Sequence, residues 1–217
     1  MSTYGIGLVA FKMTSSEIST LSSAIKNVTA KYLVVFDNSP SNESQEYFEE
    51  CGWQYCHNPL NPGFGASHNV IFKNFSNLVD YHLVLNPDVI FTEKTVLELV
   101  SFLDSKPDAG CVMPKVFYLD GRLQRLAKLL PSPLDLIFKR FLPKTLTKSL
   151  LKRLELHGFN YESGIFRVPF LSGCFLLIRT KAINEIGLFD ERFFMYFEDL
   201  DLTRRLWISG SFPYYYG

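Results

Sequence analysis

The stretch "YLVVFDNSP", Tyr32 to Pro40, decides the fold class. Its apolar run shows no polar alternation, so the strand it forms is covered on both faces, as in a parallel sheet flanked by helices. It ends on an acid, Asp37, and then on the turn formers Asn38, Ser39 and Pro40. The same alternation spreads outward from it. Upstream, "YGIGLVAF" (Tyr4–Phe11) reads as a strand. Thr14-Ser15-Ser16-Glu17 has the form of a capping box, and Ile18, Leu21, Ala24, Ile25 and Val28 follow at helical spacing. Downstream come a short helix in "ESQEYFEECG" ending at Gly52, a third strand in "WQYCH", and a Pro/Gly-punctuated loop in "NPLNPGFG". A helix over Ala66–Phe75, a fourth strand in "YHLVLN" and a helix over Glu93–Leu103 complete the series. Repeated β-α units predict an α/β, Rossmann-like, mostly parallel sheet flanked by helices.

The second half is less regular. "AGCVMPKVFYLDGRLQRL" predicts strands with a turn at Asp120-Gly121. "FRVPFLSGCFLLIR" has strand character, "KAINEIG" is a short helix stopped by Gly187, and "EDLDLTRRLWISG" is a helix ending at Gly210. No repeat or flexible linker divides the 217 residues, which suits a single domain.

Lys+Arg and Asp+Glu are both 22, so net charge selects no partner. The exception is local: "LIFKRFLPKTLTKSLLKRL", Leu136 to Leu154, contains Lys139, Arg140, Lys144, Lys148, Lys152 and Arg153 and no acid. It reads equally as a solvated helix face and as a surface for an anionic membrane. No recognition motif accompanies it, which argues against nucleic acid. Cys51, Cys56, Cys111 and Cys174 form no CxxC pair and read as reduced, mostly buried thiols of a cytosolic protein. The N-terminus lacks a basic n-region and a cleavage site, and no apolar run reaches the ~18–20 residues of a bilayer span.

Ligands of doubly wound sheets bind beyond the carboxyl ends of the strands. Asp37 and Asp88 sit there. Each fits a turn residue as well as it fits a ligand: Asp37 for a base or ribose, Asp88 (in "YHLVLNPDVIF") for a divalent cation, since Mg²⁺ and Mn²⁺ prefer hard oxygen donors. "NPGFGASHN" (Asn61–Asn69) places two glycines before a helix start, which permits close backbone approach, but is neither a dinucleotide fingerprint nor a P-loop. His68 within it reads as a surface or structural residue. In "FDERFFMYFEDLDLTRRL", Glu198, Asp199 and Asp201 open a helix, where acids favour the dipole, and Asp201 with Arg205 forms an i,i+4 pair. The aromatic loop before them also suits a carboxylate whose pKa is raised for general-base work.

Taken together, "VVFDNSPSNES", "NPGFGASHN", "LVLNPDVIF" and "FLSGCFLLIRTKAINEIGLFDERFFMYFEDLDLTRRLWISG" resemble, in this order, the family-2 inverting glycosyltransferases with a GT-A fold, in the bacterial rhamnosyltransferase-like branch. The resemblance runs from about Tyr4 to the end and is weakest over Leu119–Phe166. It implies a nucleotide-sugar-binding half, about 1–118, and an acceptor-side half, about 119–217. It implies that Asp37, Asn38, Gly63, Phe64, Gly65, Asn69 and Asn86 lie at the nucleotide. Asp88 matches the last acid of the metal motif, with Asn86 at its first position, and would hold Mg²⁺ or Mn²⁺. Gly173 and Glu198 fall on the acceptor side, and Asp199 matches the catalytic base. The implied activity moves sugar from dTDP-rhamnose or a UDP-sugar to a glycan or lipid-linked acceptor of a surface polysaccharide such as O-antigen. The alternative is an inactive relative that binds nucleotide or a partner. The resemblance also leads one to expect a truncated C-terminal part, with no histidine after His157. The expected location is cytoplasmic, with peripheral contact at the inner face of the cell membrane through 136–154.

Overall fold

The computed structural model describes residues 2–130 and 152–217. Most of the basic stretch 136–154, including Lys139, Arg140, Lys144 and Lys148, lies outside the described residues.

The first half alternates as the apolar runs predict. Strands β1 (Tyr4–Ala10), β2 (Leu33–Asp37), β3 (Gln54–His57) and β4 (Tyr81–Leu85) are separated by helices α1 (Ser15–Ile25), α2 (Gln45–Glu50) and α3 (Phe64–Phe75). Helix α4 (Glu93–Ser105) and β5 (Ala109–Pro114) follow. Thr14 caps α1 with the full capping box: its hydroxyl accepts from Glu17 N, and the Glu17 carboxylate accepts from Thr14 N at 2.8 Å. The second half contributes the hairpin β6 (Val116–Phe117) and β7 (Leu123–Gln124), then β8 (Ala127–Lys128), β9 (Ile165–Arg167), β10 (Phe170–Leu171) and β11 (Phe175–Arg179). It ends with α5 (Thr180–Ile186), α6 (Glu198–Ser209) and β12 (Phe212–Tyr216).

One eight-stranded sheet carries the fold, in the order β3-β2-β1-β4-β11-β5-β12-β9. β11 runs antiparallel between β4 and β5, and β9 antiparallel beside β12; the other pairings are parallel. β4 and β5 are buried along their whole length. Successive side chains therefore feed opposite layers. Leu83 and Leu85 pack with Ile18 and Leu21 of α1 and Val96 and Leu99 of α4, while Val84 packs with Phe72 of α3, Ile183 of α5 and Leu202 and Leu206 of α6.

Four local expectations change. Helix α3 begins at Phe64, two residues before the predicted Ala66, because Gly63 (φ +98°) turns the chain and the Phe64 N–H finds a tertiary acceptor, Phe194 O, at 3.1 Å. "SFPYYYG", which carried no assignment, forms β12 parallel to β5, with a register shift at Phe212/Pro213 that accommodates the proline. Of the four cysteines only Cys111 is buried; Cys51 is exposed, and Cys56 and Cys174 are half-buried. Of the two readings of His68, surface and structural, only the surface one fails: the ring is fully enclosed.

The parallel strands all end at one edge of the sheet. Because β11 is antiparallel, its first residue, Phe175, pairs with the last of β4, Leu85. The approach to β11, Gly173-Cys174, therefore arrives at the same edge that β1, β2 and β4 leave.

Candidate functional site

At this edge β1 and β2 end side by side, with Ala10 opposite Asp37. The Asp37 carboxylate is buried and well supplied with donors. One oxygen accepts the Ser39 N–H at 2.8 Å, and the other accepts the Tyr55 hydroxyl at 2.7 Å and that of Ser44. Ser39 also receives the Lys12 N–H at 2.6 Å, which ties the end of β1 to the turn after β2. Asn38, equally buried, bonds Ser67 of α3 at 2.9 Å. Asp37 and Asn38 thus fix the relative placement of three strand-end loops.

The start of α3 packs against the loop that precedes α6. A Cβ on Gly63 would fall 2.2 Å from Phe194 O, and one on Gly65 would fall 3.0 Å from the Phe189 Cβ and 3.4 Å from that of Glu198. The absence of side chains at these two positions is what permits the approach. Asn69, buried on the same helix, donates to Phe189 O at 2.8 Å and to Glu191 Oε1 at 2.9 Å, and accepts from Phe189 N at 2.9 Å. The Phe64 ring lies against Gly173, 3.4 Å from where a Cβ would stand. So Gly63, Phe64, Gly65 and Asn69 seat the segment that carries Glu198 and Asp199.

Past β4 the chain turns at Asn86-Pro87-Asp88. Asn86 N donates to Cys174 O at 2.8 Å, which joins this turn to the approach to β11. Asp88 is exposed, and neither its carboxylate nor the Asn86 amide has a hydrogen-bond partner among the described residues. The two border a cavity of about 400 Å³ that also reaches Thr95, Lys115, Gln124 and Cys174. No group of three His, Cys, Asp or Glu side chains is placed to enclose a metal among the described residues. The donor set still fits a hard divalent cation, because Mg²⁺-type ions are held by one or two carboxylates completed by substrate phosphates. Asp88, unpaired among the described residues and open, with Asn86 lining the same cavity, is such a partial set.

Glu198 and Asp199 open α6. The two preceding residues, Tyr196 and Phe197, both adopt left-handed backbone (φ 69°), a conformation costing a non-glycine residue roughly 1–2 kcal/mol. This pair of turns swings the start of α6 against Gly173 and leaves Phe194, Met195, Tyr196 and Phe197 exposed. One Asp199 oxygen accepts the Gly173 N–H at 3.0 Å and the other the Leu200 N–H at 2.8 Å. Burial raises the Asp199 pKa; the Gly173 and Leu200 N–H donors and the Lys128 charge oppose the rise. Glu198 is buried with one oxygen unpartnered among the described residues, and burial, with the Asp199 charge adding, pushes its pKa up to about 6. The Cys174 thiol lies between the two halves of the site: burial lifts its pKa to about 11, and the charges of both Asp88 and Asp199 contribute. The Asp88 turn and Asp199, 111 positions apart by number, thus both meet the Gly173-Cys174 segment, the turn through Asn86 N on Cys174 O and Asp199 through Gly173 N.

Behind Asp199, Asp201 and Arg205 form the expected i,i+4 pair at 2.8 Å, and Arg205 donates to the carbonyls of Ile186, Gly187 and Leu188. Sequence reasoning did not single out Tyr55 and Ser44, which hold Asp37, or Lys128, which acts on Asp199. Tyr55 had a usable signal, since it lies on the strand next to β2, two residues before His57, the partner of Asp37; Lys128 had none, because only the β8–β10 pairing brings it near α6.

A family model described as "Glycosyl transferase family 2" matches residues 17–187. N-acetylglucosaminyl-diphospho-decaprenol L-rhamnosyltransferase of Mycobacterium tuberculosis is 32% identical over 142 residues, 62% of this chain and 45% of that protein. Rhamnosyltransferase WbbL of Escherichia coli is 26% identical over 155 residues, 68% of this chain and 55% of its own length. The chain thus spans about half the length of the curated relatives it matches. Among solved structures, GalNAc-T7 with UDP, GalNAc and Mn²⁺ superposes over 100% of this chain and 42% of its own, with a TM-score of 0.69 and 12% identity. Mannosyltransferase PcManGT of Pyrobaculum calidifontis, with GDP-Man and Mn²⁺, covers 98% of this chain and 54% of its own, with a TM-score of 0.64 and 11% identity. These likenesses show that the fold is GT-A.

Proposed function

The chain belongs to glycosyl transferase family 2, and from that premise we propose that it transfers a sugar, with inversion, from dTDP-rhamnose or a UDP-sugar to a glycan or lipid-linked acceptor in surface polysaccharide synthesis. The observation that carries this reading is the Gly173–Asp199 contact at the sheet edge where Asp88 stands unpaired. It brings two carboxylates to the Gly173-Cys174 segment, which supports reading Asp199 as the base and Asp88 as the cation-binding acid of a single displacement.

In that reaction Asp199 takes the proton of the acceptor hydroxyl, whose oxygen attacks the anomeric carbon as the bond to the nucleoside diphosphate breaks. Gly173 N and Leu200 N hold the carboxylate still, and burial supports its basicity. Asp88 and Asn86 would hold the Mg²⁺ or Mn²⁺, which when bound offsets the charge gathering on the leaving diphosphate. Asp37 keeps one oxygen with a single donor, so it has a lone pair for an N–H of the base. Glu198 borders the acceptor pocket, and Gly63, Phe64, Gly65 and Asn69 hold the α6 approach to the nucleotide side.

The names of the relatives support this reading: one takes a diphospho-decaprenol acceptor, and both solved neighbours hold nucleotide or nucleotide sugar with Mn²⁺. A lipid-linked acceptor accords with peripheral contact at the cytoplasmic membrane face through 136–154, six basic residues with no acid. No helix among the described residues is long and apolar enough to cross a membrane.

Asp199→Asn is the test. Transfer is expected to fall by about 10²–10⁴-fold, while calorimetric binding of UDP or dTDP with Mn²⁺ stays at the wild-type level. Near-normal turnover in the variant rejects the assignment.

A further inference from the structure

Lys128 occupies an unusual position. It pairs in register with Phe170, and the ladder continues through the Ser172 N–H bond to Leu126 O, at 3.3 Å, up to Gly173. Gly173 in turn holds Asp199. Lys128 is half-buried, and its ammonium has no hydrogen bond or ion pair among the described residues. Three other cations of the second half have carboxylate partners: Lys115 with Glu162, Arg167 with Asp108, and Arg205 with Asp201.

An unpaired cation near a general base works against it. The Lys128 charge pulls the Asp199 pKa down, and a weaker base abstracts a proton less readily. That disadvantage lessens when an anion binds Lys128 and offsets its charge.

Building on the transferase reading above, we propose that Lys128 binds a phosphate or diphosphate carried by the acceptor, which makes it the residue that selects an anionic sugar phosphate over a neutral glycan. The donor also carries phosphate. β10, the partner of β8, packs on α6, the helix that Glu198 and Asp199 open, and on β12, so Lys128 stands on the strand pair next to the base, while Asp88 follows β4. Arrival of the acceptor anion neutralises Lys128 and restores Asp199 as a base, so the correct acceptor strengthens the group that deprotonates it.

The experiment compares wild type, Lys128→Gln and Lys128→Arg on two acceptors with the same sugar and alkyl chain, one joined through a diphosphate and one a neutral glycoside. Donor and acceptor concentrations are varied separately. Lys128→Gln is expected to lower the ratio of kcat/KM for diphosphate over neutral acceptor at least tenfold, mainly through acceptor KM. Lys128→Arg is expected to restore most of the ratio. With the neutral glycoside, the acid limb of the kcat/KM profile should move to higher pH in Lys128→Gln. A rise in donor KM with acceptor KM unchanged assigns Lys128 to the donor phosphates and overturns the inference. Equal losses on both acceptors reduce it to a structural residue and do the same. Wild-type protein that transfers to neither acceptor overturns the transferase reading itself.

Discussion

Lowering the pH from 7.5 to 5.0 should destabilise the protein through two enclosed histidines. His68 on α3 and His82 on β4 are both fully buried, with ring centroids 6.5 Å apart. Among the described residues both nitrogens of His68 and Nε2 of His82 have no hydrogen-bond partner; His82 Nδ1 meets the Tyr32 hydroxyl. Burial drives the His68 pKa down to about 3 and that of His82 well below its ordinary value, with the charge of His68 adding to the latter. Both stay neutral in the folded state where the unfolded chain takes up protons near pH 6.5. The unfolded state therefore binds more protons in this window, and stability falls as pH falls. At pH 5.0 each ring contributes about 2 kcal/mol of loss, or about 4 kcal/mol together. Glu198, raised to about 6 by burial, acts in the opposite direction because it protonates first in the folded state. A difference measurement removes that effect. Chemical denaturation of wild type and His68→Leu at the two pH values should show the loss shrinking by about 2 kcal/mol in the variant. At pH 7.5 the variant should be as stable as wild type or more so, since two unpartnered polar atoms leave the core. A pH-dependent loss identical in the two proteins would refute the reasoning.

Two substitutions test how the α6 approach is seated. Gly63→Ala places a Cβ 2.2 Å from Phe194 O at a backbone φ of +98° and should lower stability by about 2–3 kcal/mol, or Tm by about 5–10 °C. Gly121→Ala, at φ +81° with nothing nearby, should cost only about 1 kcal/mol, and equal shifts in Tm would show that the Phe194 contact is unimportant. Asn69→Ala strands the Phe189 N–H and carbonyl, so a loss of about 2–3 kcal/mol and faster proteolysis between 189 and 197 are expected; unchanged proteolysis would remove Asn69 as the fastening.

The first half was legible because β1, β2 and β4 are buried on both faces, so "YLVVFD" and "YHLVL" announce themselves as uninterrupted apolar runs. Thr14 and Glu17 made the start of α1 equally plain, since a capping box is local. The edge position of Asp37 and Asp88 followed from strand ends alone. The late strand β12 escaped because Pro213 interrupts the pattern, and its place beside β5 is decided by long-range pairing. Gly63, Gly65 and Asn69 read as a loop and helix start that could meet a ligand. Their contacts are with Phe189, Phe194 and Glu198, more than a hundred positions later, and no local pattern encodes such a partner. His68 stands beside polar Ser67 and Asn69, which suggests a surface, yet all three are buried.

The antiparallel direction of β11 has a consequence for how such a chain changes over time. β5 ends at Pro114 and β11 begins at Phe175, at the same edge of the sheet. The intervening excursion leaves and returns at one place, with β9 as its anchor on β12. Doubling the length of a flexible loop adds only about 0.6 kcal/mol of closure entropy. Length changes at exposed turns of this excursion, such as Asp120-Gly121, therefore leave the register of the central strands intact. Ala127, Leu156, Tyr161, Val168 and Leu171 of the same excursion are buried with Val84, Leu202 and Leu206, so the fold confines tolerated change to the turns between these anchors.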